Sequence, residues 1–153
     1  MANPRRGLCL MPVLMLACSV FAMADAALAQ HTRPGGTKIL STQAVRLLAD
    51  RKILLVDIRL PQEWRETGVA VGAVPITMHQ NFDRFVQALR AKLASANGRQ
   101  LALICARGVR SRRMQRVLAN IGMTNVVDVT DGMLGSPAGP GWRKSGLAVR
   151  RWP

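Results

Sequence analysis

The sequence has no tyrosine and only three phenylalanines and three tryptophans. That is too few rings for a platform on which nucleic-acid bases stack, so a nucleic-acid partner is not expected. Acidic residues are also scarce: eight Asp and Glu stand against 22 Lys and Arg, a formal net charge of +14. Such an excess favours anions, acidic partners and anionic surfaces. Histidine occurs twice, as His31 and His79. Neither has neighbours at metal-ligand or catalytic-triad spacing, so both read as surface residues and no metal is expected. Cysteine occurs three times, as Cys9, Cys18 and Cys105. No internal repeat is apparent.

The N-terminus has the organisation of a secretory signal. Arg5 and Arg6 precede an uncharged run from Leu8 to Ala24, and Ala27-Leu28-Ala29 supplies small residues for cleavage before Gln30. The run contains Pro12 and falls short of the roughly 20 residues that span a bilayer as a helix, so residues 1–29 read as a cleaved signal rather than a stable membrane span. Periplasmic or secreted localisation follows. Met15-Leu16-Ala17-Cys18 resembles a lipoprotein lipobox, but the apolar run continues past Cys18, which weakens lipidation there. Residues 30–37 read as a flexible leader and 38–153 as one domain. Cleavage would leave Cys105 without an intramolecular disulfide partner. In an oxidising compartment a retained single thiol points to function, whereas a buried small hydrophobe is the ordinary alternative.

Strand-like and helix-like segments alternate after the leader. "KIL" at 38–40, "ILLVDI" at 53–58, "AVPITM" at 73–78, "QLALIC" at 100–105 and "NVVDV" at 125–129 read as strands. Pro75 restricts the third to an edge or a bulge. Between them, helices are expected after Ser41 or Thr42, from Pro61 to Gly68, after Asn81 with Phe82, Phe85, Val86, Leu89 and Leu93 inward, and from Ser111 to about Gly122. The pattern predicts an α/β domain with about five mostly parallel strands flanked by helices. Ligands bind such sheets at the carboxyl ends of strands, and Cys105 ends a buried strand.

The segment "CARGVRS" explains what that position offers a thiol. A short loop with Gly108 at its centre turns successive N–H groups toward one point above a helix N-terminus, which is an anion-binding arrangement. Those dipoles and the nearby arginines favour a thiolate, and the same donors suit an anionic substrate. Ala106, Arg107, Gly108, Val109, Arg110 and Ser111 are therefore the expected substrate-binding segment around Cys105. Arg107 and Arg110 are expected to face the pocket mouth, while Arg112, Arg113 and Arg116 are expected on a solvated helix face.

"CARGVRS" also resembles the active-site loop of the rhodanese family, commonly C-x-x-G-x-R-S. Upstream, "DIRLPQEWRETGVAVGA" resembles that family's second signature, with Asp57, Arg59, Glu63, Trp64, Gly68, Gly72 and Ala73 in its order. The resemblance spans about residues 38–149. It implies a rhodanese-like domain that needs no metal or organic cofactor. In this chemistry Cys105 takes the sulfane sulfur of thiosulfate or a similar anion and passes it, as a persulfide, to cyanide or a small or protein thiol. Asp57 and Arg59 follow a strand end beside the active strand, where they are expected in a supporting role, bracing the loop or forming a structural ion pair with Glu63 as a further candidate partner. Related phosphatases use C-x5-R, whereas the arginine here falls at C-x4-R as Arg110, so phosphatase chemistry is not expected. Two alternatives share the scaffold: a persulfide carrier relaying sulfur between proteins, and a non-catalytic binding module. Where the family has Gly-Gly after the last strand, this chain has Gly132-Met133, and "LGSPAGPG" then separates it from Trp142 and is expected to rim the pocket.

Overall fold

The apolar runs become strands buried on both faces, and helices cover each face. In this computed structural model, residues 36–153 are described. The signal and lipobox readings, Cys9 and Cys18 lie outside the described residues. In chain order the elements are β1 (Thr37–Ile39), α1 (Ser41–Ala49), β2 (Ile53–Asp57), α2 (Pro61–Thr67), β3 (Val69–Ala70), β4 (Val74–Pro75), α3 (Phe82–Ala94), β5 (Gln100–Ile104), α4 (Val109–Asn120), β6 (Val126–Val129), α5 (Gly141–Lys144) and β7 (Val149–Arg150).

Five strands form one parallel sheet in the order β1-β6-β5-β2-β4, the α/β architecture expected from the alternating pattern. Side chains alternate across it. Ile53, Leu55, Ala102, Ile104, Val127 and Val129 pack with Trp64, Met133 and Trp142 on one side. Leu54, Val56, Leu101, Leu103 and Cys105 pack with Phe85, Leu89, Met114 and Leu118 on the other. Cys105 therefore enters the side covered by α3 and α4.

Several elements differ from expectation, each for a local reason. Ser41 does not cap α1: its hydroxyl donates to the buried Asp131 carboxylate at 2.7 Å, and Leu40 occupies the cap with its N–H bonded to Gln43 Oε1 at 2.8 Å. Pro75 shortens the third strand to two residues at the sheet edge beside β2. Phe82 is exposed at the first position of α3, and its expected inward role falls to Phe85, Val86 and Leu89. The two-stranded antiparallel pair β3–β7 and helix α5 have no counterpart in the expected pattern. Among the described residues no helix is long and apolar enough to cross a membrane.

The end of β2 carries a buried ion pair. Asp57 and Arg59 are both fully buried. Arg59 Nε and Nη2 bond the Asp57 carboxylate at 2.8–3.1 Å, Nη1 donates to Thr67 Oγ1 at 2.6 Å and to the Glu63 carbonyl at 3.3 Å, and Nη2 also reaches the Gly68 carbonyl at 2.7 Å. These contacts occupy the five N–H donors of a guanidinium and tie both ends of α2 to the sheet. Removing either partner leaves an uncompensated buried charge, so Asp57→Ala or Arg59→Ala is expected to lose about 3–5 kcal/mol of unfolding free energy. Urea unfolding measures this, and a loss below about 1 kcal/mol would show that α2 is held by other contacts.

Candidate functional site

Cys105 is the first residue beyond β5, at the carboxyl end of the sheet, and only 1% of it is exposed. Gly108 makes the turn from strand to helix. Its φ of +77° lies in the left-handed region, and a Cβ there would collide with the Thr130 carbonyl. Helix α4 consequently starts at Val109, two residues before the expected Ser111. Ser111 is thus placed in the first helical turn, where N–H groups have no intrahelical acceptor, and its N–H points at Cys105 Sγ at 3.4 Å. Its hydroxyl also lies 3.4 Å from Sγ and donates to Asp128 Oδ1 at 2.6 Å.

The turn following β6 supports the other end of the loop. Met133 N–H bonds the Cys105 carbonyl and Leu134 N–H the Ala106 carbonyl, each at 2.9 Å. Gly132 permits that approach, since a Cβ there would meet both carbonyls.

The arginines divide differently from the sequence expectation. Arg110 does not project as a free cation: Nη1 and Nη2 grip the Glu63 carboxylate at 2.7 and 2.5 Å, and Nη1 also donates to His79 Nε2 at 3.2 Å. Burial alone would push the Glu63 carboxyl up. The Arg110 hydrogen bond, the Leu60 N–H and the charges of Arg110 and Arg59 outweigh it and hold Glu63 below the usual carboxylate range. The Glu63 hydrogen bond raises Arg110 further, against burial, with the charges of Glu63 and Cys105 adding to it. Glu63 is not a side-chain partner of Asp57–Arg59; Arg59 touches only its carbonyl. Arg107 is exposed, as are Arg113 and Arg116. Arg112 is exposed on that face too, as expected, while its guanidinium reaches back to place Nε 3.5 Å from Asp128 Oδ2 and Nη2 2.8 Å from Thr130 Oγ1.

Arg107 lines a cleft of about 470 Å³ together with Leu134, Gly135, Ser136, Pro137 and Lys144. The Gly- and Pro-rich segment thus borders a cleft beside the loop, and the buried Cys105 is not among its lining residues. Among the described residues no three His, Cys, Asp or Glu side chains gather as a metal site.

The family described as rhodanese-like domain matches residues 41–135, which include β2, the whole Cys105 loop and Gly132. The chain belongs to the rhodanese-like domain family. A Rickettsia prowazekii protein, RP600, described only as uncharacterized, is 29% identical over 118 residues, covering 71% of this chain and 93% of that one. Among solved structures, Rv0390 from M. tuberculosis is similar at 28% identity and a TM-score of 0.58, over 76% of this chain and 98% of the other. A protein of unknown function from Rhodopseudomonas palustris, described as a possible tyrosine phosphatase, shares the fold at 19% identity and a TM-score of 0.53, over 75% and 85% of the two chains. A rhodanese-like domain protein from Staphylococcus aureus does so at 23% and 0.51, over 74% and 98%.

Sequence reasoning about this rhodanese-like domain missed Asp128 and the Glu63–Arg110 pair. A signal for the first was present: an acid inside the apolar run "NVVDV" must find a partner or be neutral. The second joins residues 47 positions apart, and no local pattern reports it.

Two outcomes follow. A depressed carboxyl stabilises the fold above its unfolded titration range and loses that contribution as pH falls through the lower folded value. The stability gap between wild type and Glu63→Gln is therefore expected to be open at neutral pH and to close as pH falls below the ordinary glutamate range in urea titrations; a gap independent of pH would separate Glu63 from Arg110. Gly108→Ala is expected to cost at least about 1–3 kcal/mol, because both its φ and the Thr130 carbonyl oppose a Cβ. An unchanged melting temperature would show that the turn adapts.

Proposed function

We propose that this domain is a sulfurtransferase that carries sulfane sulfur as a persulfide on Cys105. The observation that carries this reading is the placement of Sγ at the sheet's carboxyl end, under a helix first turn whose Ser111 N–H donates to it. The thiolate electron pair attacks the sulfane sulfur of thiosulfate or a similar anion. The new S–S bond forms as the donor S–S bond breaks, and sulfite departs with that bond's electron pair. Cyanide or a thiolate then attacks the outer sulfur and regenerates the Cys105 thiolate. Backbone N–H groups from Ala106 to Arg110 hold the persulfide anion, as helix-terminal donors hold other anions.

The roles of the neighbouring residues follow from their contacts. Arg107, exposed on the adjoining cleft, attracts the anionic donor. Arg110 sets the loop's position through Glu63, and Asp57–Arg59 fixes the helix that presents Glu63. The arginine at C-x4-R is already paired bidentately with a carboxylate, which argues against a phosphatase in which that side chain would bind phosphate. Relay of sulfur to or from a protein thiol would use the same Cys105 persulfide, with the buried Sγ first having to become accessible to the docked partner.

Thiosulfate-dependent thiocyanate formation is expected in the wild type and absent in Cys105→Ala. Intact-mass spectra after thiosulfate treatment are expected to gain the mass of one sulfur atom, and Cys105→Ala no such mass at that residue. Activity persisting in the variant would remove Cys105 as nucleophile. An adduct formed with a persulfidated protein, but not with thiosulfate, would favour the relay.

A further inference from the structure

We propose that Asp128 takes the proton of the Cys105 thiol through the hydroxyl of Ser111, so that the reactive thiolate and a neutral Asp128 form together. This deepens the sulfurtransferase function and rests on it. Three atoms make the path: Sγ lies 3.4 Å from Ser111 Oγ, and Oγ lies 2.6 Å from Asp128 Oδ1. All three residues are buried. Bulk water is therefore a poor immediate acceptor for the proton, and the carboxylate that the hydroxyl of Ser111 connects to the sulfur is Asp128.

Proton counting shows why the two ends are linked. Ser111 has one hydroxyl proton. While it bonds the Asp128 carboxylate, it cannot also bond Sγ, so Sγ must keep its own proton and donate it to Oγ. Once Sγ is a thiolate, the hydroxyl proton is best used on sulfur. Oγ and Oδ1 would then be two acceptors facing each other at 2.6 Å unless Asp128 holds a proton between them. Shifting both protons one place along the chain removes that conflict. The thiol proton passes to Oγ, the hydroxyl proton passes to Oδ1, and net charge is unchanged.

The surroundings of Asp128 suit a carboxyl that accepts a proton. It lies on β6 between β5 and β1, aligned with Leu103 on one side and Lys38 on the other. Its Oδ2 is buried and has no hydrogen-bond partner, a cost that falls when the carboxyl is neutral. Burial pushes Asp128 above the usual carboxylate range, outweighing the Ser111 hydrogen bond and the charges of Arg112 and Lys38, which act in the opposite direction. Arg112 Nε, at 3.5 Å, limits how far the balance moves. On the sulfur side, the Ser111 N–H points at Sγ at 3.4 Å, a donor that either form of the sulfur can accept. The proton is stored during attack on the donor, since persulfide formation consumes the thiolate electron pair and requires no proton. It returns along the same path when the thiolate released by the second displacement goes back to the resting thiol.

The absence of tyrosine makes this testable, because no tyrosinate obscures the ultraviolet absorbance of a thiolate. The measurement uses the full chain with Cys9→Ser and Cys18→Ser, so that Cys105 is the sole thiol. Thiolate absorbance and the infrared carbonyl band of a neutral carboxylic acid are followed together from acid to alkaline pH. The expected result is that both signals coexist near neutrality, that Asp128→Asn removes the carboxylic-acid band, and that Ser111→Ala abolishes the neutral-pH thiolate signal. A thiolate that appears only after the acid band has vanished overturns the proposal, as does a neutral-pH thiolate that survives Ser111→Ala. If Asp128→Asn does not fold, coexistence in the wild type and its loss in Ser111→Ala decide the matter. Neither signal needs a sulfur donor. Failure here therefore leaves thiocyanate formation untouched, and failure of thiocyanate formation leaves these signals intact.

Discussion

The close approach of Gly108 to the Thr130 carbonyl is the constraint on which the site depends. No side chain fits between them, so the loop after β5 can lie directly on the turn that follows β6. That contact fixes where α4 begins. It therefore fixes the direction of the Ser111 N–H, which bonds Sγ, and of its hydroxyl, which reaches Asp128. A loop lifted by one methyl group would separate the thiol from each of these partners. Gly132 performs the reciprocal task beneath the loop, where the carbonyls of Cys105 and Ala106 receive N–H groups from Met133 and Leu134.

Positive charge around the site is organised by pairing rather than by accumulation. Of the five arginines between Ala102 and Arg116, Arg110 is bound to Glu63 and Arg112 to the Asp128–Thr130 region. Only Arg107 stands both exposed and on the adjoining cleft. The net charge of the chain is thus a weak guide to what the thiol experiences, because an ion pair 2.5 Å across projects far less field than a free guanidinium. The buried Asp57–Arg59 pair works at a further remove: it anchors α2, and α2 presents Glu63 to the loop.

Much of the scaffold was legible in the residues. Unbroken apolar runs mark β2, β5 and β6 because strands covered on both faces need apolar side chains in both directions. Pro75 marked an edge strand, Asn81 capped α3 as expected, and Cys105 fell at a strand's carboxyl end. Helix starts were less legible. Ser41 and Ser111 both look like caps, yet each spends its hydroxyl on a buried aspartate from a distant segment, Asp131 and Asp128 respectively. A hydroxyl has the same local preference in either setting, and only the assembled fold supplies the competing acceptor.

The sequence by itself determined the α/β alternation, the order of the elements and the identity of the thiol, because periodicity, glycine and proline act over a few residues. Tertiary structure alone decided which charges meet. Glu63 reaches Arg110 across 47 positions, and Ser111 reaches Asp128 across 17, because parallel strands bring their carboxyl ends together regardless of the chain between them. Hydrogen bonds and ion pairs depend on distances of a few ångströms in space, and spacing along the chain does not encode those distances.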